Sequence, residues 1–408
     1  MDPSHGARPL GFVLVLAIVA ACEGCSGGGN ANPASSDGSS PMSLSGSSSG
    51  GSIDTPGVEA GPDGEPYGQK EDGGGTAEGG VNGDAKDAAR DVDATSSVAS
   101  PFDCRFAWGE PTPTGSLASY GWLQFMTTWV GSEVQADGSI TSCSACSWLT
   151  GQMASTALIP VYYAYFVGFY GHANGLQDQN VNPGGPNLAT GGGALILGSA
   201  NSACPSGQIC ASNKIVQMYA YYAKQSYAAW PTKPLVWLIE GDFIQYTSES
   251  GTQTQPLTYA QLGQLGAQIA TAIKSNMPNA VVAFDDSAWV DDQDRMSYWT
   301  AIAAANYDMV WTTGVGNNPP FLNAGEDGGT YNGATATYSF LHTYTGKKIL
   351  VDESAGMSQQ SDTWSNQSAA TLDSLIEAGV VAVNVSGAPS NYQSNVTALG
   401  PELHSTCP

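Results

Sequence analysis

Short apolar runs alternate with amphipathic stretches from about Phe102 to the end of the chain. Eight runs predict strands: Arg105–Gly109, Trp122–Val130, Leu158–Gly168, Leu235–Glu240, Ala280–Asp286, Asp308–Thr313, Lys348–Glu353 and Val380–Val385. Between the later runs the period changes. Leu262, Leu265, Ile269 and Ile273 fall at steps of three and four, which predicts a helix over Tyr259–Met277. Ile215–Trp230, Asp294–Asn306, Thr335–Tyr344 and Asn366–Ala378 follow the same logic. Buried strands alternating with helices imply a parallel sheet. Eight repeats in this length imply closure into an α/β barrel of the (β/α)8, or TIM, type. The segment Asn182–Gly193, rich in Gly, Pro and Asn, reads as an elaborated loop on the carboxyl-terminal face.

The first hundred residues have another character. Residues 26–100 are mostly small and polar and bury too little to offset ordering entropy, so a disordered tether over 22–100 is expected. Before it, Arg8 and the apolar stretch Leu10 to Ala20 read as a signal peptide over 1–21. Val19-Ala20-Ala21-Cys22 resembles the bacterial lipoprotein lipobox. That resemblance implies cleavage before Cys22, lipidation of its thiol and, with Glu23 following, an outer-membrane or surface location. The alternative is ordinary secretory cleavage. A tether of that length spans roughly 50 Å, at ~5–6 Å times the square root of the residue number. Residues 101–408 are then the folded domain, expected to be a monomer held to the membrane by lipid alone.

Charge narrows the partners. The chain carries 12 basic and 36 acidic residues, a net −24. Both parts are acidic, so phosphate-backbone binding lacks an electrostatic footprint and nucleic acid is not a partner. The same repulsion disfavours anionic polymers and points to a neutral one.

Six cysteines lie in the folded part, and an even count in an exported chain reads as disulfides. The preferred pairing is Cys104–Cys407, Cys143–Cys146 and Cys204–Cys210. A zinc site is the alternative for the Cys-x-x-Cys pair, although no second such pair or nearby His completes it. HExxH, GxGxxG, a P-loop ending and a Gly-x-Ser-x-Gly elbow with partners are all missing from the sequence, so no metal and no cofactor is expected.

Candidate chemistry sits at strand ends. Glu240 closes Pro234-Leu-Val-Trp-Leu-Ile-Glu240 and Glu353 closes Lys347-Lys-Ile-Leu-Val-Asp-Glu353. Carboxylates at the carboxyl ends of barrel strands are placed for catalysis, and two of them suffice to cleave a glycosidic bond. Here residues 102–408 resemble the clan of (β/α)8 glycoside hydrolases whose acid/base ends strand four and whose nucleophile ends strand seven. The resemblance implies Glu240 as acid/base, Glu353 as nucleophile, retention of configuration, and a β-linked glucan or mannan as substrate. Many members place Asn before the strand-four glutamate, where this chain has Ile239. Either glutamate can instead be a hydrogen-bonded strand-end carboxylate with a structural role.

Asp242 is the first substitute for either glutamate; Asp285 and Asp286 end strand five. Asp352 is expected to point away from the axis if Glu353 points in. Aromatic side chains cluster near the same ends: Trp129, Tyr165, Tyr246, Trp289, Trp311 and Trp364. Sugar faces stack on such rings while amides and carboxylates bind hydroxyls. Asp242, Asp286, His172 and Asn384 complete the expected substrate-binding set. The main alternative to a hydrolase is a non-catalytic carbohydrate-binding surface lipoprotein.

Overall fold

The computed structural model describes residues 101–102, 105–112, 117–176, 187–200, 203–241, 243–248, 253–287, 292–313, 337–352, 364–385 and 388–400. The signal peptide, Cys22, the tether, Cys104 and Cys407 lie outside them.

Eight parallel strands close into a barrel in chain order. They are β1 Ala107–Pro111, β2 Phe125–Val130, β3 Ile159–Ala164, β4 Leu235–Ile239, β5 Ala280–Asp286, β6 Met309–Thr313, β7 Lys348–Asp352 and β8 Val380–Asn384. β1 pairs with both β2 and β8, which completes the ring. The fold is a TIM barrel. The described helices are α1 Ser144–Gly151, α2 Phe166–Ala173, α3 Leu188–Gly198, α4 Lys214–Ala229, α5 Tyr259–Asn276, α6 Asp292–Ile302, α7 Tyr338–Thr345, α8 Ala369–Glu377 and α9 Tyr392–Leu399. No helix among the described residues is long and apolar enough to cross a membrane.

Two apolar clusters follow from the two faces of the strands. Phe125, Val161, Val236, Leu238, Val281, Ala283, Met309 and Leu350 fill the barrel interior. Trp237, Ile239, Val282, Phe284, Ile349 and Val351 pack outward against the helices. Phe102 packs on Phe125 at 5.5 Å, at the amino end of β2. Gly109 is the register partner of Phe125, and a Cβ there would fall on the Phe125 ring. The glycine is what lets that ring occupy the interior.

The start of α5 is fixed by a capping box. Thr258 accepts from the backbone of Gln261, and the Gln261 side chain reaches back to the Thr258 amide. β1 lies two residues later than expected, β2 begins three residues later, and two expected elements change type. The run Leu158–Gly168 is a strand only to Ala164; from Phe166 it turns into α2, because a short apolar run does not distinguish strand from buried helix. The Gly-rich end of the expected loop is helical from Leu188. Gly192 meets the Tyr246 ring and Gly193 the Gln255 carbonyl, so these glycines serve close packing of a helix. Cys143–Cys146 and Cys204–Cys210 are both disulfide-bonded, as expected. The first closes the start of α1, which removes the zinc alternative for that pair.

Gly109→Val should displace the Phe125 ring and lower stability by about 1–3 kcal/mol, the usual effect of overpacking. Thermal unfolding checks this; an unchanged melting temperature contradicts the packing described.

Candidate functional site

The carboxyl-terminal mouth of the barrel is built from β2, β3, β6, β7 and β8. Trp129, on the interior side of β2, is 50% exposed. Its ring stacks on Tyr163 of β3, its register partner, at 4.9 Å and 27°. Tyr165 meets the Trp129 edge at 5.9 Å, and Trp311 of β6 meets the Tyr163 edge at 5.9 Å. Trp311 is fixed by its indole N–H, which donates to the Ile239 carbonyl at 3.2 Å.

Beneath these rings lies a buried polar network. Tyr163 donates its hydroxyl to Asp352 Oδ2 at 2.6 Å. Asn384 Nδ2 donates to the Tyr163 oxygen at 2.9 Å and to Asp352 Oδ1 at 3.2 Å. Thr127 donates to Asn384 Oδ1 at 3.4 Å. Each carboxylate oxygen of Asp352 thus faces a donor, the arrangement that makes a buried carboxylate tolerable without a cation. Burial, and then Asp352 itself, hold the Tyr163 phenol well above its ordinary range, so Tyr163 stays a proton donor to Asp352.

Asp352 therefore points into the barrel, in line with Leu350, and not away from it. Every residue of β7 from Ile349 to Asp352 is buried, so the two faces carry no polar-apolar contrast to read. Glu353, Asp242 and Trp289 lie outside the described residues.

Glu240 does not face the mouth. It has a left-handed backbone, φ 33°, which interrupts the strand alternation. Its carboxyl turns to the helix side: Oε1 accepts from the Val167 amide at 2.9 Å and the Tyr219 hydroxyl at 2.6 Å. It is 1% exposed, and burial raises it to about 8 despite those hydrogen bonds. This corrects the expected inward placement.

Four more expected contacts belong elsewhere. Asp286 alternates outward and pairs with buried Arg295 at 3.0 Å and with the Trp299 indole at 2.8 Å. Trp364 is buried between Phe106 and Tyr338 in the helix layer. Tyr246 is fully buried under α3. His172 lies in the last turn of α2, against Phe169, at the far end of that helix from Tyr165. Trp129, Tyr165, Trp311 and Asn384 are the expected residues that the fold does bring together. Asp285 sits on the interior side of β5, register partner of Trp311, and accepts from Ser287 at 2.6 Å. Among the described residues no group of three or more His, Cys, Asp or Glu is placed to hold a metal.

No family model matches the chain, and no curated protein matches it. Solved structures do. The chain is similar to native xylanase 10B from Thermotoga maritima (11% identity, TM-score 0.40, covering 71% of this chain and 85% of that one). It is similar to GH26C from Muricauda sp. (10%, TM-score 0.45, 75% and 88%). It is also similar to Rhizobium etli pyruvate carboxylase (12%, TM-score 0.37, 76% and 27%). Overlap at this level fixes neither activity nor substrate.

Asp286→Ala should leave Arg295 buried without its carboxylate and cost about 3–5 kcal/mol. Chemical denaturation checks this; full stability in the variant would contradict the outward pairing of Asp286.

Proposed function

We propose that the chain is a glycoside hydrolase acting on a neutral polysaccharide, a β-glucan or mannan, at the carboxyl-terminal mouth of the barrel. The observation that carries this reading is the half-exposed Trp129 ring stacked on Tyr163, whose hydroxyl is held on Asp352. A flat apolar face above buried polar groups suits a sugar ring with its hydroxyls turned downward. The acidic surface and the scarcity of Lys and Arg favour an uncharged polymer.

Cleavage of a glycosidic bond needs one protonated and one ionised carboxyl group. Asp352 is the inward carboxylate with donors aimed at both oxygens, which suits the ionised role. Tyr163 and Asn384 fix its direction. The acid/base and nucleophile roles first expected of Glu240 and Glu353 imply retention of configuration. The turned-out carboxyl of Glu240 removes support for its half of that pair.

A second reading has its own observation. Asp352 is 0% and Asp285 1% exposed, while Trp129 is open. An open platform over closed carboxylates suits a carbohydrate-binding protein that does not cleave. In both readings the lipobox-like Val19-Ala20-Ala21-Cys22 supports export with a lipid anchor at Cys22, and the proposal is a monomer at the outer membrane or cell surface.

Reducing-end release from a panel of neutral polysaccharides separates the two. Asp352→Asn should lower release by about 10²–10⁴-fold. Trp129→Ala should weaken oligosaccharide binding by up to about tenfold, from the ~0.5–1.5 kcal/mol of a ring-stacking contact. Binding without release by wild type favours the binding protein; neither binding nor release by wild type overturns both.

A further inference from the structure

Glu240 is a buried titratable group that the mouth does not use. Its surroundings give it a different task. Helix α2 begins at Phe166, and its N-cap residue, Tyr165, makes no capping hydrogen bond with its side chain. The first amides of any helix lack intrahelical partners. Glu240 supplies one from a neighbouring strand, through Val167. Tyr219 of α4 bonds the same carboxyl oxygen and also the Ala164 carbonyl, at 2.9 Å. The Glu240 amide reaches that carbonyl too, at 3.1 Å. The ends of β3 and β4, the start of α2 and the face of α4 thus meet at one side chain.

The consequence reaches the mouth in three contacts. The first turn of α2 contains Gly168, and a Cβ there would fall on the Tyr165 ring, so Tyr165 lies over that turn. Tyr165 in turn buttresses the edge of Trp129. We infer that Glu240 is a positioning residue, a cross-strand cap that locks α2 to α4 and so sets the Tyr165–Trp129 wall of the mouth. It rests on the reading of that mouth as a carbohydrate site.

Tyr219 has one hydroxyl proton and two acceptors in reach, Ala164 O and Glu240 Oε1, and shares it between them in a three-centre contact. Burial outweighs the bonds donated to the Glu240 carboxyl and raises it to about 8. Tyr219 on α4 and the amides of α2 act directly on Glu240, and Tyr246 acts on Tyr219. No charged side chain is among the described groups that shift Glu240. A carboxyl raised from 4.5 to about 8 binds its proton more tightly when folded. Its contribution to stability is therefore fully present below pH 4.5 and is lost as pH rises through about 8.

The test uses the intact protein and amide exchange at Val167, expressed as a protection factor, beside binding and release of cello- and manno-oligosaccharides. Glu240→Gln keeps an acceptor and a donor without titrating. It should hold Val167 protection and oligosaccharide affinity within about threefold of wild type at pH 7. Wild-type stability to denaturant should fall between pH 7 and pH 9, while that of Glu240→Gln stays level. Glu240→Ala should lose at least tenfold in protection and weaken affinity, and Tyr219→Phe should do part of the same. The inference is overturned if Glu240→Gln stops release with Val167 protection intact, because Glu240 would then be the proton donor. It is equally overturned if Glu240→Ala leaves protection unchanged. Should wild type release no sugar at all, the exchange data still decide the clamp, and the hydrolase reading fails separately.

Discussion

Closure of eight parallel strands into one ring gives each strand residue two choices, the barrel interior or the helix layer. Most features of this molecule follow from how that choice falls. On β3 it sends Tyr163 inward and Tyr162 outward; on β7 it sends Asp352 inward and Val351 outward. On β5 it separates Asp285 from Asp286, so adjacent carboxylates serve different sides of the sheet. At Glu240 a left-handed residue overrides the alternation, and the chain leaves the strand there with its carboxyl among the helices.

A network of Tyr, Asp and Asn inside a barrel is tolerable because its groups satisfy one another. Asp352 takes a donor on each oxygen, and Tyr163 both gives and receives. In a low-dielectric interior such bonds are strong when complete and costly when broken. Trp129 and Trp311 shield the network from above and from the side. The Trp129 ring that covers the network also keeps an exposed flat face, and the proposed recognition rests on that face.

The architecture was legible in the chain because strand and helix periods alternate clearly after Phe102. Five strands, β4 to β8, begin and end within one residue of their expected bounds. Less was legible where side chains are apolar on both faces. The run Ile349-Leu-Val-Asp352 carries no contrast between faces, so the inward residue was not decidable from order alone. Phe166–Ala173 and the glycines of α3 lack the amphipathic signal of α4 and α5, so their sequence does not announce a helix. Trp129, Trp311 and Asn384 are marked in the sequence by their place near strand ends. Trp364 and Tyr246 satisfied the same rule and are buried elsewhere, because being near a strand end does not set direction.

The claim on which the functional account depends is that a sugar ring lies on Trp129, above the Tyr163–Asp352–Asn384 network. A crystal structure of the protein with bound cellohexaose or mannohexaose tests it most directly. The account predicts a pyranose ring parallel to the exposed indole face of Trp129, with hydroxyls directed toward the buried network. A ligand bound elsewhere on the molecule, with Trp129 still bare, would contradict it.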